Sequence, residues 1–197
     1  MTGTVRATAV FLLLLQAAGI PAVTPLSAQI VRLPDLDNTL VDPFQRGAGV
    51  SGTVFLFASV DCPISNRYAP EIKRLHEAFT GKGVRFWMVY PNPRETASAI
   101  GTHLKDFGYP IPALRDPAHE LARLTKATVT PEAAVYDRRG ALVYHGRIDD
   151  RYVSLGVERA APTRHDLQDA LTAVVAGKAV PAATQPAVGC FIADFVP

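Results

Sequence analysis

The chain contains two cysteines, Cys62 and Cys190, and the first lies where a sulfur can do chemistry. It follows an unbroken apolar run, Val54-Phe55-Leu56-Phe57-Ala58, of the kind that forms a strand buried on both faces. After it the period changes. Ile64, Tyr68, Ile72, Leu75 and Phe79 recur at spacings of four and three, with Lys73, Arg74 and Glu77 between them, which predicts an amphipathic helix. Pro63 suits the first helical position, where a missing N–H costs nothing, so Cys62 falls at the N-cap of a strand-to-helix turn. Free N–H groups and the positive end of a helix dipole favour an anion there, and a thiolate is the anion on offer. An inert buried thiol is the commoner fate of an isolated cysteine. The strand end, the helix start and the following proline argue for a nucleophile instead. Ser65, three residues on, either donates a hydrogen bond to the Cys62 thiolate or is an ordinary first-turn serine.

The elements that must position Cys62 can be read in order. The first 28 residues have one charged side chain, Arg6, an apolar core from Ala9 to Ile20, and a breaker-rich stretch ending Leu26-Ser27-Ala28. They are expected to be a cleaved secretory signal, too short in its apolar part to span a bilayer comfortably, so the domain is expected to be exported, to the periplasm. A membrane contact is expected only if the signal stays uncleaved. Residues 29–176 are expected to form one domain. Ile30-Val31 and Thr39-Leu40-Val41 suggest a short hairpin or edge strands, and Val84 to Tyr90 a second strand. Ala97, Ile100, Leu104 and Phe107 mark a helix closed by Gly108, Pro112 to Leu114 a short strand, and Asp116-Pro117 the cap of a further helix. Val129 to Tyr136 and Leu142 to Tyr144 read as two strands joined by a turn at Asp137-Arg138-Arg139-Gly140. The segment Gly146–Gly156 reads as a charged surface loop. Thr163 and Asp166 have the spacing of a capping box for a last helix. Residues 177–197 form an Ala/Pro-rich tail, expected to be a tether, ending in the apolar patch around Cys190. A net charge of +2 gives no footprint for nucleic acid.

The motif Cys62-Pro63-Ile64-Ser65, with a proline at Pro70, resembles the thioredoxin superfamily: strand, Cys-x-x-(Cys or Ser), helix. Asp61 stands where that superfamily usually has Trp, and Ser65 where a dithiol reductase has its second cysteine. The resemblance implies an α/β thioredoxin-like fold, a central mixed β-sheet flanked by helices. It implies that Pro131, preceded by Thr130, is a cis-proline facing the cysteine and that the two hold a partner strand. The strand and helix between Trp87 and Leu114 are an insertion before that proline, typical of TlpA-like oxidoreductases and peroxiredoxins. The stretches around Cys62, Pro131, Gly146–Tyr152 and Cys190 together are similar to bacterial redoxin (AhpC/TSA- and TlpA-like) domain proteins, over residues 30–193.

Three functions follow from the resemblance. The first is a thiol–disulfide oxidoreductase in which Cys62 attacks a disulfide-bearing protein, release needing an external thiol reductant or Cys190. The second is a thiol peroxidase in which Cys62 attacks peroxide and Cys190 resolves the sulfenic acid. Ser59 occupies the place of a peroxiredoxin Thr or Ser, Phe55 that of the motif proline, and Arg138 and Arg147 are the candidate peroxide-polarising arginines. The third is a non-enzymatic copper-handling or electron-transfer accessory, with His145 and Cys62 converging on a soft metal. His76, His103 and His165 fall on predicted helices and are expected at the surface. The first two readings require no cofactor.

Overall fold

The computed structural model describes residues 31–45 and 47–195, so the segment read as a signal lies outside it. The apolar run becomes β3 (Gly52–Phe57), every residue of which is buried. It follows a small hairpin, β1 (Leu33–Pro34) and β2 (Leu40–Val41), whose first strand lies slightly later than Ile30-Val31. The chain continues through α1 (Pro63–Arg67), α2 (Ala69–Thr80), β4 (Val84–Tyr90), α3 (Ala97–Asp106), β5 (Ala113–Arg115) and α4 (Glu120–Thr125). Then come β6 (Val129–Thr130), β7 (Glu132–Asp137), β8 (Leu142–Gly146), β9 (Tyr152–Ser154) and β10 (Val157–Glu158). The last elements are α5 (Asp166–Val175), β11 (Thr184–Gln185) and β12 (Cys190–Phe191).

Six strands form one mixed sheet in the order β11-β8-β7-β3-β4-β5. β3 runs parallel to β4 and antiparallel to β7. The pleat of β3 divides the core in two. Val54, Leu56 and Ala58 face Ile72, Leu75 and Phe79 of α2, Ile100 of α3 and Leu167 and Leu171 of α5. Phe55 and Phe57 face Leu121 and Ala122 of α4 together with Val31 and Leu33. Burying each such side chain is worth about 1.5–3 kcal/mol, so this strand and its coverings carry much of the stability. Phe55 also meets the Phe44 and Tyr136 rings at 5.1 and 5.8 Å.

The single helix expected after Cys62 is two helices with a break at Tyr68. Pro70 lacks an N–H, and its ring would press on the Asn66 carbonyl in a continuous helix, so the first turn closes at Tyr68 and a new helix begins at Ala69. The helix expected from Asp116-Pro117 starts at Glu120 instead, behind a left-handed His119, but Asp116 still caps it: Oδ2 accepts the Ala122 N–H at 2.9 Å. The Ala/Pro-rich segment is not a free tether, because β11 inside it pairs in parallel with β8. His145 N donates to Ala183 O at 2.9 Å and Arg147 N to Gln185 O at 3.1 Å.

That edge depends on Gly146, whose φ is +140° and whose added Cβ would lie 1.9 Å from the Gln185 carbonyl oxygen. Gly146→Ala is expected to unpair β11 and to cost more than about 1 kcal/mol. Faster hydrogen exchange at the His145 and Arg147 amides, with a lowered melting temperature, is the readout; unchanged exchange there would contradict it.

Candidate active site

Cys62 is only 2 % exposed and forms the N-cap of α1, with Pro63 opening the helix as expected. Its sulfur receives the Ser65 backbone N–H at 3.5 Å and donates to the Thr130 carbonyl oxygen at 3.1 Å. The contact from Ser65 is therefore made by its backbone; its buried hydroxyl has no hydrogen-bond partner. The Thr130–Pro131 peptide is cis, and the Thr130 carbonyl at the end of β6 lies against the cysteine.

The second sulfur arrives from the far end of the chain. β12 pairs antiparallel with β6, placing Cys190 opposite Thr130 and Phe191 opposite Val129. Ile192 N extends the pairing to Thr128 O at 3.1 Å. This brings the Cys190 thiol beside the Cys62 sulfur, and both cysteines are free. Burial first, and the Cys62 contact second, push the Cys190 thiol up to about 12, so it rests protonated.

Two buried carboxylates fix the loops on either side. Glu132 Oε2 accepts the backbone N–H groups of Thr128 (2.9 Å) and Val129 (3.3 Å), pinning the strand that carries Thr130. Burial raises the Glu132 carboxyl, against the pull of those bonds and of His145. Glu95 Oε1 accepts from the Ser59 hydroxyl (2.6 Å) and from Val60 N (2.9 Å), fixing the turn just before Cys62. Burial raises this carboxyl too. Asn66 ties the same turn to the core. Its Nδ2 donates to Val60 O at 3.1 Å, and its Oδ1 lies 2.7 Å from His103 Nε2. An amide oxygen only accepts, so His103 Nε2 carries the proton, and Nδ1 accepts from the Tyr90 hydroxyl at 2.8 Å. Burial lowers His103, consistent with this neutral form.

Several sequence expectations are corrected here. His103 is buried rather than exposed, because it faces Tyr90 and Asn66. The segment Gly146–Gly156 is not a surface loop throughout: Ile148, Asp149 and Asp150 are buried. Asp149 Oδ1 accepts from the Tyr68 hydroxyl at 2.5 Å and from Arg151 N at 2.9 Å, which clamps the loop onto the joint between α1 and α2. Thr163 does not form a capping box with Asp166; its N–H and hydroxyl go to Asp150 at 2.7 and 2.6 Å. Neither Glu95, Asp149 nor Glu132 is legible as a site residue, since isolated acids, two in loops and one opening β7, carry no spacing signal.

The structure brings together Cys62, Ser65, Thr130, Pro131 and Cys190. Ser59 is nearby in sequence, but its hydroxyl is taken by Glu95. Arg138 is exposed at the β7–β8 turn, the end of β7 remote from Pro131. Arg147 is paired with Asp166 at 2.7 Å. His145 pairs with Ala134, whose side chain belongs to the core opposite that of Cys62, and contacts Thr184 at 3.0 Å. Among the described residues no three His, Cys, Asp or Glu side chains cluster as a metal site.

A mixed sheet with helices on both faces, and a helix-capping cysteine opposite a cis-proline, defines a thioredoxin-like fold. Within it the chain belongs to the AhpC/TSA family, whose model matches residues 28–145. It is similar to a hypothetical protein from Sinorhizobium meliloti 1021, at 29% identity and a TM-score of 0.71, over 85% of this chain and 92% of that one. An uncharacterized conserved protein from Geobacillus kaustophilus is 27% identical, with a TM-score of 0.71, over 91% and 99% of the two chains. A secreted Mycobacterium tuberculosis disulfide oxidoreductase homologous to E. coli DsbE shares the fold, at 17% identity and a TM-score of 0.50, over 75% and 96%. No curated protein matches the chain. The family match ends before Cys190, so the second sulfur lies on a segment outside it.

Proposed function

We propose that the protein is an exported thiol–disulfide oxidoreductase with Cys62 as nucleophile and Cys190 as the other half of its redox couple. The observation that carries this reading is the pairing of β12 with β6, which sets Cys190 opposite Thr130, the residue whose carbonyl lies on the Cys62 sulfur beside the cis-proline. Cys62 loses the proton it shares with the Thr130 carbonyl to solvent, and its thiolate attacks one sulfur of a partner disulfide. The partner S–S bond breaks, its other sulfur leaves with the electron pair, and a Cys62–partner disulfide forms. Cys190 then loses its proton to solvent and attacks the Cys62 sulfur. The partner leaves as its second thiolate, fully reduced, and a Cys62–Cys190 disulfide remains. An external thiol reductant restores the pair. The high resting value of the Cys190 thiol keeps it from competing as the first nucleophile. The signal-like residues 1–28 support export to the periplasm, where such a disulfide can persist.

The test is diamide oxidation followed by non-reducing digestion and mass spectrometry, with insulin reduction and peroxide consumption assayed in parallel. A Cys62–Cys190 peptide pair and insulin reduction are expected. Peroxide consumption without insulin reduction would instead favour a thiol peroxidase, and absence of the peptide pair would leave Cys62 dependent on an outside thiol.

A further inference from the structure

Strand β12 is placed as an incoming cysteine-bearing strand would have to be. It lies antiparallel on β6, its cysteine opposite Thr130, whose carbonyl oxygen is 3.1 Å from the Cys62 sulfur. The pairing imposes a steric condition just before the cysteine. A Cβ on Gly189 would lie 2.2 Å from Thr130 O, 2.6 Å from Thr130 C and 3.1 Å from Pro131 N. All three are backbone atoms of the segment that the Glu132 carboxylate pins, so they cannot swing aside as a side chain would. Gly189 does not have a positive φ, so the requirement is for space and not for conformation. After the cysteine the conditions differ. Phe191 is 84 % exposed and selects nothing, whereas Ile192 is 6 % exposed and is seated in the core around Phe55 and Phe57.

Resting on the thiol–disulfide reading above, we propose that residues 189–192 occupy the site of the external substrate. The substrates are extended polypeptide segments with glycine immediately before the reactive cysteine and an apolar residue two positions after it. The chain's own strand must leave β6 before such a segment pairs there. It returns to bring Cys190 onto the Cys62–substrate disulfide. Substrate selection and resolution thus use one edge in turn.

The experiment uses full-length Cys190→Ser and the double variant Gly189→Ala/Cys190→Ser. The probes are Val-Gly-Cys-Phe-Ile and Val-Ala-Cys-Phe-Ile, each with its cysteine joined by a disulfide to thionitrobenzoate. Cys62 attacks the peptide sulfur, the bond to thionitrobenzoate breaks, and the coloured thiolate departs with the electron pair. Cystamine serves as a small disulfide that needs no strand pairing. The glycine peptide is expected to react about tenfold or more faster than the alanine peptide. It is also expected to react faster with the double variant, whose own strand is pushed off β6, than with Cys190→Ser. The glycine-to-alanine ratio read on Cys190→Ser alone keeps the test independent of how well the double variant folds. Equal rates for the two peptides, with cystamine reacting normally, would overturn the substrate inference and leave the oxidoreductase reading standing. A Cys62 inert to cystamine as well would overturn both.

Discussion

Cys62→Ser is expected to reduce insulin reduction to the uncatalysed background while changing stability by less than about 1 kcal/mol. The loss follows from chemistry: a hydroxyl does not exchange with disulfides at neutral pH, and the remaining thiol, Cys190, is held protonated chiefly by burial. The retained fold follows from position. The residue caps α1 and receives the Ser65 N–H, and serine is among the preferred residues for that task. Insulin turbidity and thermal melts on the same preparation check both halves. An active Cys62→Ser protein would end the thiol reading altogether, whereas an unfolded one would mean that the sulfur, and not the cap, holds this turn.

Asp150→Ala is expected to destabilise the protein by about 2–4 kcal/mol with only a small effect on exchange chemistry. The carboxylate accepts the Thr163 N–H and hydroxyl and the Arg164 N–H, at 2.7, 2.6 and 2.9 Å. Hydrogen bonds to a charged acceptor are worth about 1.5–3 kcal/mol each but do not simply add. The 3.4 Å pair with Arg159 adds little, because that side chain is 46% exposed. The pH dependence has a definite sign. The bond from the Thr163 hydroxyl, the largest influence, with the two backbone bonds and Arg159 behind it, holds the folded Asp150 carboxyl well below the usual range. A depressed carboxyl stabilises the fold fully above its unfolded value of about 3.9, and that stabilisation is lost as the pH falls through the lower folded value. Urea denaturation should therefore show a constant gap between the two proteins from neutral pH down to about 4, narrowing only in stronger acid. A gap that closed between pH 6 and 7 would point to a histidine instead.

The parts of this molecule that rest on local pattern are legible in the amino-acid sequence. The run Val54–Ala58, the change of period after it and Pro63 locate β3, the turn and the N-cap without reference to the rest of the chain. Val84–Tyr90 and the Asp137–Gly140 turn are equally local. The cis peptide before Pro131 follows from the family resemblance and not from spacing. What escapes depends on distant partners. His103 reads as a surface residue because helical spacing cannot reveal that Tyr90 and Asn66 wait on either side of its ring. Asp150 draws Thr163 away from the neighbour with which the sequence pairs it. Glu95 lies between two prolines and a helix, where nothing marks an acid as buried. That Cys190 reaches Cys62 is an open alternative in the sequence, since an apolar ending fits both a packed strand and a mobile arm; β12 is packed and still places the sulfur at the site.

The route of the chain through the sheet has a mechanical corollary. A bond between Cys62 and Cys190 would close a covalent ring holding β4, β5, β7, β8 and β11 together with helices α1 to α5. The middle strand of the sheet, β3, precedes Cys62 and stays outside that ring, although both of its neighbours, β4 and β7, lie within it. Tension applied at the amino-terminal end is therefore borne by the backbone hydrogen bonds and packing of β3 whether or not the sulfurs are joined. Tension at the carboxy-terminal end crosses the disulfide from residue 190 to residue 62, so the residues between them carry none of it. In the reduced molecule a pull from that end peels off β12, β11 and α5 in turn, whereas in the oxidised molecule β11 and α5 are shielded inside the ring.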